Sequence, residues 1–250
     1  GVKEVYSFDP LPAQIAPEHR HHVLGIQANL WTEHMRSEAR VEYMAFPRAA
    51  ALAEIAWSRP ERISFEDFER RLKTQLARYD ALGIRYAPPP KPVTLSEFER
   101  RSHELDLCSN KLVLSLEDDA PVQGERETFL VDVMEPCWMW RGVDLSKVGA
   151  IEAEVGQVPF NFQIGKDRDA IKFSKPRTPT GELEVRETCE GPVLASIPLG
   201  DAVKRHATTK LDRATLAGEG EQDLCFTFAQ HTLDPLWVVH RIRLIPRSES

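Results

Sequence analysis

Across 250 residues the chain carries 32 Lys plus Arg against 39 Asp plus Glu, a formal net charge of −7, and 42% apolar side chains. That length supports one large domain or two ordinary ones, each with its own core. The acidic balance without a basic stripe argues against a nucleic-acid partner, and no apolar run approaches the roughly 20 residues of a membrane-spanning helix.

Charge is unevenly spread: residues 1–90 hold twelve basic and twelve acidic side chains, so residues 91–250 carry the whole excess of −7. The opening Gly1-Val2-Lys3 has neither an initiator Met nor a leader-like segment, which leads to the expectation of a longer parent protein. Residues 5–16, with Pro10 and Pro12 and little periodicity, read as a loop. Pro17 and Glu18 then open a short helix running to about Leu24, which Gly25 ends. An apolar strand is predicted over Ile26 to Leu30. Its alternation places Trp31 and Glu33 on one face beyond the strand end. An indole beside a carboxylate suits a sugar, whose C–H face stacks on the ring while its hydroxyls donate to the acid. Without further context the same pair reads as packing plus a helix cap.

From Glu38 to Trp57 the apolar spacing of three and four predicts helix, interrupted near Phe46-Pro47 because proline removes a backbone donor. Arg48 and Glu54 lie inside this apolar stretch and read as structural hydrogen-bonding groups. Ser64, with Asp67 three residues on, is an N-cap for a further helix whose apolar face is Phe65, Phe68, Leu72, Leu76 and Tyr79, ending near Leu82-Gly83. Four prolines within residues 87–92 mark a semi-rigid spacer.

Beyond the spacer, β-like runs recur between Gly and Pro punctuation at residues 112–116, 129–133, 150–155, 160–164, 183–185, 224–228 and 237–244. Six to eight strands without a long helical pattern predict a β-sandwich or jelly roll. Trp138 and Trp140, two apart, point the same way on a strand, either as a glycan-stacking platform or as core packing. Cys108, Cys137, Cys189 and Cys225 fit no CxxC pattern; free buried thiols and any of three disulfide pairings remain open. His19, His21 and His22 read as a solvated helix face, Asp167 and Asp169 lack the rest of a calcium loop, and Gly218-Glu219-Gly220 reads as a turn. No metal site and no cofactor is expected.

Gly25-Ile-Gln-Ala-Asn-Leu-Trp-Thr-Glu33, Glu42-Tyr-Met-Ala-Phe-Pro-Arg48, Ala51-Leu-Ala-Glu54 and Trp57-Ser58, with the lead-in Val5 to Pro10, closely resemble the carboxy-terminal end of the catalytic barrel in family 20 glycoside hydrolases, the β-N-acetylhexosaminidases. The resemblance covers about residues 2–87. It implies an α/β plus all-β chain: the carboxy-terminal portion of a (β/α)8 TIM barrel, with its last strand and helices, followed by a β-sandwich that is jelly-roll-like and weakly similar to carbohydrate-binding modules. The implied boundaries are 1–87 for the barrel end, 88–104 for the linker with a short helix, and 105–250 for the sandwich. Trp31 and Glu33 then lie where such barrels build their sites, Trp31 as a wall of the terminal-sugar pocket and Glu33 accepting from its 4- and 6-hydroxyls.

The family's chemistry is substrate-assisted and uses an Asp-Glu pair on an earlier barrel strand. No Asp-Glu dipeptide occurs in this sequence, so no catalytic residue is assigned here and the chain alone is expected to be inactive. The implied partners are a glycan ending in N-acetylhexosamine and the missing amino-terminal part of the barrel. An oligomer sharing a barrel rim is compatible with the resemblance, and a periplasmic or secreted parent is favoured. The competing reading is a non-catalytic glycan-binding or scaffold protein that retains barrel remnants.

Overall fold

The structure, a computed structural model, describes residues 1–32, 35–59, 61, 64–89, 94–118, 120–122 and 124–248. The chain divides into two compact units, residues 1–91 with 122–125, and residues 92–121 with 126–250.

The first unit is helical. α1 (Val2–Tyr6), α2 (Glu38–Ala45), α3 (Arg48–Trp57) and α4 (Phe65–Leu82) surround a small core of Tyr6, Ala51, Ile55, Phe68 and Leu72. The break between α2 and α3 falls at Phe46-Pro47, as the sequence predicts. Arg48 turns back there to donate to the carbonyls of Tyr43 (3.1 Å) and Met44 (2.8 Å), two acceptors left open at the end of α2. Ser64 caps α4 by accepting from the Asp67 N–H at 3.4 Å. Gly83 stops the helix at φ 70°, in the left-handed region that a Cβ disfavours. Glu54 pairs with Arg71, not with Arg48: the guanidinium of Arg71 donates to both Glu54 oxygens (2.6 and 2.7 Å) and to Asp67 (2.7 Å), while the Tyr6 hydroxyl donates to Glu54 at 2.8 Å. One carboxylate thus ties α1, α3 and α4 together.

The predicted strand over Ile26 to Leu30 is not formed; these residues have no ladder partner among the described residues. A lone strand leaves its N–H and C=O groups to water, and the first unit supplies only helices to pack against. Within this run the Gln27 side-chain amide donates to Asn29 Oδ1, two residues on, at 3.1 Å.

The second unit is the sandwich. Its strands are β1 (Glu99–Arg101), β2 (Asp106–Leu107), β3 (Val113–Glu117), β4 (Thr128–Asp132), β5 (Cys137–Asp144), β6 (Val148–Val158), β7 (Glu182–Arg186), β8 (Val193–Pro198), β9 (Thr209–Lys210), β10 (Ala214–Thr215), β11 (Glu221–Ala229) and β12 (Leu236–Pro246). One sheet runs β1-β12-β6-β10 with β9 also on β6, the other runs β2-β5-β11-β7-β8, and β3-β4 form a hairpin. The sequence pattern finds most of the long strands but reads residues 160–164 as one, where the chain is irregular. β1 starts inside the expected 88–104 linker, pairing Glu99 to Arg101 with Arg243 to Arg241, and the expected short helix is the 3-10 turn Ser102–Glu104.

The last two strands do not pair with each other: β11 bonds β5 and β7, whereas β12 bonds β6 and β1. The chain crosses the core between them, so the two strands meet through side chains, with the Phe228 and Trp237 rings 6.3 Å apart. Asp132, fully buried, pins the loops beside β4. Burial alone would push its carboxyl up, yet the Ser109 hydroxyl (2.6 Å) and the N–H groups of Lys111, Leu112 and Met134 outweigh it and hold the acid below its ordinary range. The cysteines close two disulfides, Cys108–Cys137 and Cys189–Cys225.

Gly156 lies in β6 against the buried Phe129 ring, which a Cβ at that position would overlap. Gly156→Ala is expected to cost roughly 1–3 kcal/mol in urea unfolding followed by tryptophan fluorescence, and Phe129→Leu on top of it to recover part of the loss. For Glu54, the Arg71 guanidinium holds the carboxyl below the usual glutamate range. Its stabilisation is therefore complete above about pH 4.3 and lost as pH falls through the depressed folded value. With Arg71 half exposed, solvent screens the pair, and Glu54→Gln is expected to cost about 1 kcal/mol. Hydrogen exchange of α3 amides should show that difference at pH 7 and its disappearance in acid.

Candidate functional site

Leading into the candidate segment, the chain makes the 3-10 turn Pro17–His22, closed by the Val23 N–H donating to the Arg20 carbonyl at 3.1 Å. From Val23, itself extended, to Trp31 the chain forms neither helix nor strand. Ile26 packs on the first unit's core and anchors the run. A cavity of about 440 Å³ opens beside it, lined by Phe8, Pro10, Leu11, Leu24, Gly25 and Ile26 among others. Past that anchor the side chains leave the protein: Leu30 is 43% and Trp31 71% exposed. An indole so presented has both a free apolar face for stacking and a free N–H donor. Trp31 does not line the cavity. Glu33, its expected partner, lies outside the described residues, so the pairing of acid and indole is not described.

The nearby acids are committed to structure. Glu54 is occupied by Arg71 and Tyr6, and the Tyr6 hydroxyl is pushed up by burial and then by its bond to that carboxylate. A group held this way neither carries nor accepts a proton readily near neutrality. Sequence spacing exposes the Asp67–Arg71 half of this network, since the two are one helical turn apart, but Tyr6 and Glu54 are 48 residues apart and meet only on folding.

Trp138 and Trp140 share a face, as their spacing predicts, and that face is the core. Trp138 is fully buried with its indole N–H donating to the Leu130 carbonyl at 2.8 Å, and Trp140 is 8% exposed beneath the Arg100 guanidinium at 4.8 Å. Neither ring offers a surface to a glycan, so the stacking platform is not formed; the rings are needed to fill the space between the sheets. His19, His21 and His22 lie exposed on the 3-10 turn, their rings stacked on one another. Asp167 and Asp169 are exposed on the turn Gly165–Ala170.

The buried acids of the sandwich are likewise spent. Glu182 accepts from the Arg177 and Thr178 N–H groups and the Thr178 hydroxyl, and Glu184 pairs with Arg186 at 2.6 Å. His240, buried beside Glu127 (3.6 Å) and Glu154 (3.9 Å), is shifted down chiefly by burial, which favours the neutral ring. Of Trp31, Trp138 and Trp140, the tryptophans that the sequence offers as sugar contacts, Trp31 alone is open to solvent.

Residues 1–60 match the model of the glycosyl hydrolase family 20 catalytic domain. A β-hexosaminidase from Porphyromonas gingivalis is 33% identical over 135 residues, which are 54% of this chain and 16% of that protein. A chitooligosaccharidolytic β-N-acetylglucosaminidase from Ostrinia furnacalis is 42% identical over 84 residues, 34% of this chain and 14% of that protein. The chain thus spans no more than about one sixth of the length of these relatives. Among solved structures, a family 6 carbohydrate-binding module from Clostridium cellulolyticum in complex with xylose aligns at 14% identity and a TM-score of 0.36, over 58% of this chain and 95% of that one. Over residues 1–60 the chain is thus similar to the glycosyl hydrolase family 20 catalytic domain.

Proposed function

We propose that this chain is the carboxy-terminal portion of a β-N-acetylhexosaminidase that removes terminal non-reducing N-acetylglucosamine or N-acetylgalactosamine from glycans. The observation that carries the reading is the family match over residues 1–60, which contains the one solvent-presented indole of the candidate segment. In this reading residues 1–87 are the end of the barrel domain, 88–104 the linker and 105–250 an attached β-sandwich.

The chemistry follows from the substrate. The 2-acetamido carbonyl attacks the anomeric carbon and displaces the leaving oxygen, which takes a proton from an enzyme acid; water then opens the cyclic intermediate and restores the acetamide. The acid and the group that orients the acetamide belong to an Asp-Glu pair that this sequence does not contain. What the chain contributes is recognition: Trp31 stacks against the apolar face of the terminal sugar and Glu33 accepts from its hydroxyls. Exposed Leu24, Trp57 and Leu82 support a first unit that is completed by further barrel elements, since each leaves a large apolar surface in water.

The isolated chain should release no chromophore from a chromogenic N-acetylglucosaminide; clear turnover by verified chain rejects the proposal. In the parent protein, Trp31→Ala is expected to lower kcat/KM roughly 30-fold, as truncation of a stacking tryptophan commonly costs about 2 kcal/mol. Backbone hydrogen exchange on the isolated chain should show residues 1–87 protected far less than the sandwich. Equal protection in a monomer would count against a barrel end that lacks its neighbours.

A further inference from the structure

The four cysteines of the sequence, spread over 118 positions, converge on one point of the second unit. Their placement follows from sheet register. Leu107 lies opposite Trp138 and Asp106 opposite Met139, so Cys108 falls opposite Cys137. Cys225 lies opposite Met139, two residues along β5 from Cys137. Side chains two apart on a strand, or directly across a ladder, share a face. Cys108, Cys137 and Cys225 therefore project from the same face of this sheet, opposite to the core-facing Trp138, and Cys189 reaches them from the turn between β7 and β8.

The result is a single sulfur cluster. Cys189 Sγ lies 3.3 Å from Cys108 Sγ and 3.9 Å from Cys137 Sγ, across the two disulfide pairs, and all four sulfurs lie within 4.8 Å of one another. The Met139 thioether stands 3.7 Å from Cys189 Sγ. Cross-linking does not require this. Each disulfide joins strands or turns already neighbours in one sheet, with sequence separations of 29 and 36 residues, and either would close its loop equally well elsewhere along the ladder. A tetrathiolate centre does require it: with metal–sulfur bonds of about 2.3 Å, the edges of the tetrahedron are about 3.8 Å. Cys137 and Cys225 are buried while Cys108 and Cys189 are half-buried, so the cluster has a closed floor and an accessible side.

We propose that Cys108, Cys137, Cys189 and Cys225 form one redox-linked metal site, two disulfides when oxidised and a four-thiolate site for Zn²⁺ or a similar thiophilic divalent cation when reduced. The change balances with a dithiol as reductant. Each disulfide accepts two electrons and two protons from one dithiol, which leaves as its own disulfide; the bound cation then displaces one proton from each of the four thiols. The centre carries a charge of −2, and Arg186, opposite Cys225 across the ladder, is a neighbouring cation. Linear spacing gives no sign of such a site, because each ligand comes from a different strand or turn.

The test uses the full chain, reduced anaerobically, freed of reductant and titrated with Co²⁺. One equivalent should bind with thiolate-to-cobalt charge-transfer bands and tetrahedral d–d bands, both removed by one equivalent of Zn²⁺. Cys189→Ser and Cys108→Ser should each lose about one quarter of the charge-transfer intensity, one thiolate in four, and bind Co²⁺ roughly 100-fold more weakly. Absence of charge-transfer bands, or intensity unchanged in both variants, overturns the proposal. Should reduction unfold the sandwich, circular dichroism keeps the test decisive: recovery of strand signal on adding Zn²⁺ supports the site, and no recovery rejects it.

Discussion

Buried strand backbone must find a ladder, and that requirement organises the sandwich. There β6 and β12 pair from Val158 opposite Leu236 to Val148 opposite Pro246, with register shifts between Val239 and Arg241 and between Ile245 and Pro246. Leu236, Val238, Val239, Ile242 and Ile245 are then free to fill the core. The first unit has no ladder among its described residues. Its helices satisfy their own backbones and pack around Tyr6 and Phe68, whereas the run from Val23 to Leu30 forms neither helix nor strand and is exposed except at half-buried Val23 and Ile26.

The second constraint is the disposal of buried charge. Glu54, Asp132 and Glu182 are withdrawn from water, and each accepts from at least two donors held in place by the fold. Such carboxylates act as fixed nodes: Glu54 joins three helices, Asp132 gathers the loops beside β4, and Glu182 closes the turn before β7. For Glu54 and Asp132, held below their ordinary range, the same commitment removes them from acid–base chemistry, which needs a group that can change its proton near the working pH.

Helices α2, α3 and α4 were legible because their signals are local, whereas α1 was not, its end falling in the segment that reads as a loop. Phe46-Pro47, the Ser64 cap and Gly83 act through the backbone of a single turn, and the apolar face of α4 is set by residues three and four apart. Strand existence was legible for long runs such as residues 224–228 and 237–244, where apolar content persists. Short β1, β2, β9 and β10 were not, since two or three residues carry no measurable alternation. The motifs about Trp31 carry the resemblance to family 20 glycoside hydrolases, because a resemblance reads order and identity and does not depend on local secondary structure.

By itself the sequence determined the boundaries of α2, α3 and α4, the change to β structure beyond the prolines, and the resemblance that residues 1–60 bear to family 20. Tertiary structure alone decided that Trp138 and Trp140 face inward, that β11 and β12 belong to different sheets, that Glu54 takes Arg71 and Tyr6 as partners, and that four distant cysteines meet. The difference is one of range. Caps, turns and periodicity act over a few residues, whereas face, sheet membership and convergence depend on which strand lies alongside, and that is settled only when the apolar faces close on each other.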